Sequence, residues 1–189
     1  GFGDVGPSDN YAHISGIGSD PASPSRYVAA RGRAEAAVRE EFPAATLLRP
    51  SVMFGPDDAF LRNLAAVTRL PVVPLFGRGR TRLQPAYVAD VATAFARVLG
   101  TPATAGRTFE LGGGTVHTYR EVLERVLIHQ GRWRPLVPVP FAAWRALARV
   151  LGHLPSPPLT VDQVALMALD NVVDPGAEGF ADLGIEPAA

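Results

Sequence analysis

Two periods of hydrophobic placement alternate along this chain. Short apolar runs at Tyr11 to Ile17, Thr46 to Phe54 and Thr108 to Leu111 have the length and bounding residues of buried parallel strands. The second run is interrupted at Pro50, which has no N–H to give a ladder. Between the runs lie segments with helical spacing or composition, Arg26 to Glu41, Asp58 to Arg69 and Tyr87 to Leu99. Val72 to Phe76, followed by the glycine-punctuated loop Gly77 to Arg82, reads as a hairpin or crossover. Two later helices are marked by capping boxes, Thr118 with Glu121 and Thr160 with Gln163. Between them Phe141 to Leu151 forms an amphipathic helix with Phe141, Trp144, Leu147 and Leu151 on one face. That face is expected to pack on its own domain, the alternatives being a partner, a quinone-bearing site or a membrane surface.

Strands separated by helices predict an α/β fold with a doubly wound, Rossmann-like parallel sheet over residues 1–115, and a small, mostly helical annex over 116–189. Because Gly1 lies only a few residues ahead of an expected central strand, the sheet is expected to be N-terminally truncated, with Tyr11 to Ile17 at its edge. A chain of that kind should be poorly stable alone and bind dinucleotide weakly. Gly1, Gly3 and Gly6 fit GxGxxG, but that motif needs a strand before it and a helix after it. Followed by Pro7, Ser8, Asp9 and Asn10, they read instead as a turn-rich, flexible end.

Composition narrows the chemistry. The 189 residues carry 18 basic and 18 acidic side chains, so the overall balance points to no nucleic-acid partner. Without cysteine, disulfides, thiolate zinc sites, iron–sulfur clusters and cysteine nucleophiles are excluded. His13, His117, His129 and His153 share no ligand spacing, so no metal site is expected. No apolar stretch reaches the roughly 18 residues of a membrane span, and the expected location is cytoplasmic or peripheral at the inner face of the membrane. All 18 basic side chains are arginine.

Against that background one spacing stands out: Ser15 at the end of an apolar run, Tyr27 on the next helix, and Arg31 one turn beyond it. It resembles the Ser…TyrxxxLys signature of short-chain dehydrogenase/reductase enzymes, with arginine in place of lysine. A guanidinium keeps the charge but cannot be deprotonated in a protein, whereas a lysine amine can relay a proton. Read without the resemblance, Tyr27 and Arg31 are an i,i+4 pair on a surface helix. Further segments, YAHISGIG from Tyr11, LRPSVMFGP from Leu48, QPAYVADVA from Gln84 and TFELGGG from Thr108, resemble landmarks of the extended or atypical branch of that family, the NAD-dependent epimerase/dehydratase-like proteins. PLTVDQ from Pro158, DNVV from Asp170 and DLGI from Asp182 make the chain most similar to the family of the NADPH-binding accessory subunit of respiratory complex I, of which it would be the C-terminal half.

The resemblance implies roles for particular residues. Ser15 would polarise a carbonyl, Tyr27 would exchange the proton, and Arg31 would sit where lysine holds the nicotinamide ribose. Pro50, Ser51, Val52 and Met53 would wall the nicotinamide, with backbone groups freed by the proline meeting the carboxamide. Arg78, Arg80 and Arg82 read as a solvated basic loop, although related sugar-nucleotide epimerases place an arginine hereabouts on a substrate phosphate, which makes Arg82 the substrate-binding candidate. Gly112 to Gly114 read as a turn. The implied function is an NAD- or NADP-binding protein, structural or regulatory, with weak or no turnover. The alternatives are an active oxidoreductase or epimerase on a carbonyl, sugar-nucleotide or steroid-like substrate, and an accessory or quinone-linked subunit of a respiratory complex.

Overall fold

The computed structural model describes residues 11–56, 58–155, 157 and 159–188; the GxGxxG segment lies outside them. In chain order the elements are β1 (Ala12–Ile14), α1 (Arg26–Glu41), β2 (Thr46–Pro50), β3 (Met53–Phe54), α2 (Ala59–Val67), β4 (Val73–Phe76), β5 (Arg82–Leu83), β6 (Ala86–Tyr87), α3 (Val88–Leu99), β7 (Thr108–Leu111), β8 (His117–Thr118), α4 (Tyr119–His129), β9 (Leu136–Val139), α5 (Phe141–Leu151) and α6 (Val161–Leu166). They form two compact units, one of residues 1–55, 84–115 and 172–189, the other of residues 56–83 and 116–171. The division is therefore not a single cut near residue 115. The chain crosses between units several times, because β7 returns to the first sheet and the last residues pack on its core.

The first unit is built on a parallel sheet in the order β1-β2-β7, with Ile14 opposite Leu48 and Leu48 opposite Phe109. Four of the five residues of β2 are buried, as expected of a strand flanked on both sides. The long run from Thr46 does not continue as one strand. It breaks after Pro50, and Met53–Phe54 pairs separately with β6. β1 is shorter than the apolar run that predicts it and, among the described residues, lies at the edge of the sheet. Helix α3 buries Val91, Ala94 and Val98 at helical spacing against Leu48, Phe109 and Leu111. Phe180 and Leu183 complete that core from the C-terminal segment, where Glu178 also pairs with Arg107. At Gly113 a Cβ would stand 2.0 Å from the Pro85 carbonyl oxygen, so this glycine is required by the close approach of two chain segments.

The second unit holds both capping boxes. Thr118 and Glu121 start α4, and Thr160 and Gln163 start α6. β4 does not fold back as a hairpin. It pairs in parallel with β9, a proline-containing strand hidden from pattern reading. Trp144 of α5 packs on Phe76 with ring centroids 4.5 Å apart, and its indole N–H donates to the Leu75 carbonyl at 3.0 Å.

Candidate functional site

The serine, tyrosine and arginine of the motif all lie in the first unit, on either side of the turn from β1 into α1. Ser25 caps α1, its hydroxyl accepting from the Val28 N–H, and this fixes the helix start beside the end of β1. Tyr27, on the first turn, is 54% exposed. One turn later the guanidinium carbon of Arg31 lies 5.0 Å from the Tyr27 ring centroid, and Nη2 donates to the Ile17 carbonyl at 3.0 Å. The cation thus bridges the phenol and the chain just beyond Ser15. Gly16 makes room for it, since a Cβ there would lie 1.9 Å from Nη1. Arg31 Nε is buried with no hydrogen-bond partner among the described residues, an omission that ordinarily costs about 1–3 kcal/mol.

Ser15 faces a different network. Its Oγ is 2.9 Å from Ser19 Oγ, and Ser19 donates in turn to the Gly16 carbonyl. Beside them sits Glu35 of α1, buried and clasped by Arg49 of β2 through Nε at 3.0 Å and Nη2 at 2.5 Å. Arg49 Nη1 also lies 3.7 Å from Glu110 of β7, and Glu110 accepts from the Asp174 N–H. Burial pushes the Glu35 carboxyl up, but hydrogen bonds from Arg49, Ser15 and Ser19 outweigh it and hold the carboxyl below its ordinary value. Sequence reading misses this relay. Its one signal is a charged residue inside each of two apolar strand runs, Arg49 and Glu110.

The residues after the β2 break are engaged within the fold. The Pro50 carbonyl accepts from the Ile17 N–H at 3.1 Å, the Ser51 N–H donates to the Leu111 carbonyl at 2.9 Å, and the Val52 carbonyl accepts from the Ala86 N–H at 2.9 Å. These backbone groups hold loops together instead of being left free by the proline, while the Met53 side chain is exposed. Arg82, in the second unit, is also engaged. Its Nε and backbone N–H both donate to Asp170, at 2.7 and 2.8 Å. The backbone N–H, then the guanidinium, keep the Asp170 carboxyl below its ordinary value. Among the described residues no three His, Asp or Glu side chains cluster closely enough to hold a metal ion.

No family model matches the chain. Solved structures share its fold. A nucleoside-diphosphate-sugar epimerase of Staphylococcus aureus aligns with 96% of this chain and 62% of its own at TM-score 0.69 and 16% identity. UDP-glucose 4-epimerase of Thermus thermophilus, solved with NAD, aligns with 70% of this chain and 51% of its own at TM-score 0.52 and 21% identity. The architecture is thus the Rossmann-like one of the epimerases and extended short-chain dehydrogenase/reductases. Sequence comparison is more specific. The Arabidopsis thaliana protein named NADH dehydrogenase [ubiquinone] 1 alpha subcomplex subunit 9, mitochondrial, is 35% identical over 188 residues, 94% of this chain and 47% of that protein. The NADH-ubiquinone oxidoreductase 40 kDa subunit of Neurospora crassa is 36% identical over 182 residues, 95% of this chain and 48% of that protein. The chain belongs to the family of these two proteins, and it spans about half the length of the curated relatives it matches.

Proposed function

We propose that the chain is part of an NAD(P)(H)-binding protein in which the dinucleotide serves structure or regulation, with weak or no turnover. The observation that carries this reading is the placement of Arg31. Its guanidinium stands beside an exposed phenol, as the ribose-holding cation of the family would, yet it is tied to the Ile17 carbonyl and cannot release a proton. The buried, unpartnered Nε speaks for a missing acceptor, which a ribose oxygen would supply if the side chain turned outward. Tyr27 and Arg31 would hold the ribose end, and Pro50, Ser51, Val52 and Met53 would wall the nicotinamide, their backbone fixed by the bonds described above. When bound, the nicotinamide would supply hydride chemistry. Ser15 Oγ is engaged by Ser19 Oγ at 2.9 Å.

The preference between NAD and NADP is left to measurement by calorimetric titration of both reduced forms. Binding of one of them, weak for these residues alone, with no oxidation of added alcohols, is the expected result. Alcohol oxidation that vanishes in Tyr27→Phe would overturn it in favour of an active oxidoreductase or epimerase. In that event Arg31→Lys should change the rate only modestly.

The names of the relatives favour a second reading for the partners, association with a respiratory complex as an accessory or quinone-linked subunit. Affinity purification of the tagged chain should then recover complex I subunits, and their absence from the purified material would count against it. No helix among the described residues is long and apolar enough to cross a membrane.

A further inference from the structure

Within the second unit, Arg78, Gly79, Arg80, Thr118, Arg120 and Pro138 line a concavity of about 340 Å³, at the small end of the range for ligand pockets. Three of these residues are arginines, and no carboxylate lines the hollow with them. The side chains of Arg78 and Arg80 make no ion pair or hydrogen bond among the described residues. Arg120 has only an exposed i,i+4 pair with Glu124 at 3.5 Å, a contact worth little. Glu121, the other acid on that helical turn, is taken by the capping box, where it accepts from the Thr118 N–H at 2.7 Å. Like charges gathered on one hollow repel one another unless an anion enters it.

The backbone holds the arginines in place. Gly77 and Gly79 both adopt left-handed conformations, with φ of 56° and 70°, which residues bearing a Cβ rarely adopt. The Gly77 N–H donates to the Val139 carbonyl and the Gly79 N–H to the Phe76 carbonyl, each at 2.9 Å, while the Gly79 carbonyl accepts from the Arg120 N–H at 3.0 Å. Gly79 also lets the stem of Arg120 approach, since a Cβ at position 79 would lie 3.0 Å from Arg120 Cβ. The loop and the first turn of α4 are thus tied together, with one arginine on each side of Gly79 and a third beside it. The backbone N–H groups of Arg78 and Arg80 have no acceptor among the described residues, so the loop keeps two further donors unspent.

We infer that this concavity binds a diphosphate group, free or carried by a nucleoside, with Arg78, Arg80 and Arg120 on its oxygens. Charge and geometry select the ligand. One carboxylate would neutralise one guanidinium and leave two, whereas a diphosphate offers charge and acceptor oxygens to all three, and the guanidinium fork matches phosphate oxygens in pairs. A nucleic-acid strand fits poorly, because no aromatic ring lines the hollow for a base to stack on and the chain as a whole carries no net charge. Arg82, the arginine that the family resemblance would place on a substrate phosphate, does not line the concavity and is already paired with Asp170. The motif residues Ser15, Tyr27 and Arg31 belong to the other unit, so the inference does not rest on the cofactor reading.

The test is calorimetric titration of the whole 189-residue chain with inorganic pyrophosphate, inorganic phosphate, ADP and citrate at low salt. Pyrophosphate should bind about tenfold more tightly than phosphate or citrate, and Arg78→Gln, Arg80→Gln and Arg120→Gln should each weaken it about tenfold, the scale of one charge-assisted hydrogen bond. Arg145→Gln, which removes a cation of the same unit outside the concavity, should leave that affinity unchanged. ADP that binds more tightly than pyrophosphate and responds to the same three substitutions would identify a nucleoside as the carrier, and weaker ADP binding would identify the free diphosphate. Titrations of NADH and NADPH with the same variants should match those of the parent chain, so that failure of the cofactor reading and failure of this one are told apart. No binding of pyrophosphate, equal affinity for citrate, or a loss in Arg145→Gln as large as in the other three would overturn the proposal.

Discussion

Arg31 Nη2 donates to the carbonyl oxygen of Ile17 at 3.0 Å, locking the cation of the motif helix onto the chain that follows the motif serine. The lock depends on the absence of a side chain at position 16. It converts a surface helix pair into a tertiary contact across fourteen residues of sequence.

Gly16→Ala should therefore expel the guanidinium, because the new methyl would occupy the site of Nη1 and the far end of a flexible side chain yields first. Loss of one charge-assisted hydrogen bond should cost about 1.5–3 kcal/mol. Thermal unfolding should register the loss, and an unchanged midpoint would show that the bond contributes nothing.

Glu35→Gln should be more damaging, since it strips Arg49 of its principal anion while Glu110 stays 3.7 Å away. Breaking a buried pair on one side costs about 3 kcal/mol, here at the low end of the usual range because Arg49 remains partly exposed. Urea denaturation of the two forms would measure it.

The same carboxyl sets an acid dependence. The folded value of Glu35 lies below its ordinary one, so its contribution is complete above the ordinary value and is lost as pH falls through the folded value. Between those two values the native chain should lose stability with falling pH more steeply than Glu35→Gln, and parallel curves would count against the hydrogen-bonded cluster of Ser15, Ser19, Glu35 and Arg49.

Asp170→Asn should cost less than about 1 kcal/mol, because its pair with Arg82 is exposed on both sides. Phe180→Ala, by contrast, should cost about 3–5 kcal/mol by opening a cavity beside Phe109 and Leu183. A small effect there would mean that the C-terminal segment is dispensable to the first unit. Chemical denaturation reads both.

Elements with strong local signals were legible in the sequence. Apolar spacing marked α3, Thr118 and Thr160 marked the starts of two helices, and the run ending at Leu111 marked a parallel strand. What escaped depended on long-range pairing. β9 contains Pro138 and reads as loop until β4 is known to lie beside it. The spacing of Ser15, Tyr27 and Arg31 could be read, but no pattern indicates that Ser15 bonds Ser19 while Arg31 turns toward Ile17. The clasp on Glu35 follows from Arg49, placed beside Glu110 on the neighbouring strand, a register fixed only when the sheet forms. The face of α5 singled out by its apolar residues proved to be mainly the packed one, with Leu147 turned to solvent, because Phe76 and Leu75 claim Trp144.

The two tryptophans divide their surroundings unequally. Trp144 is held by Leu75 and Phe76, whereas Trp133 is 83% exposed. Both belong to the second unit, so ultraviolet emission should combine a blue component from Trp144 with a red, acrylamide-quenchable component from Trp133, both reporting on that unit. Melting followed by fluorescence would thus track one unit, and comparison with tyrosine absorbance would reveal whether the halves come apart separately.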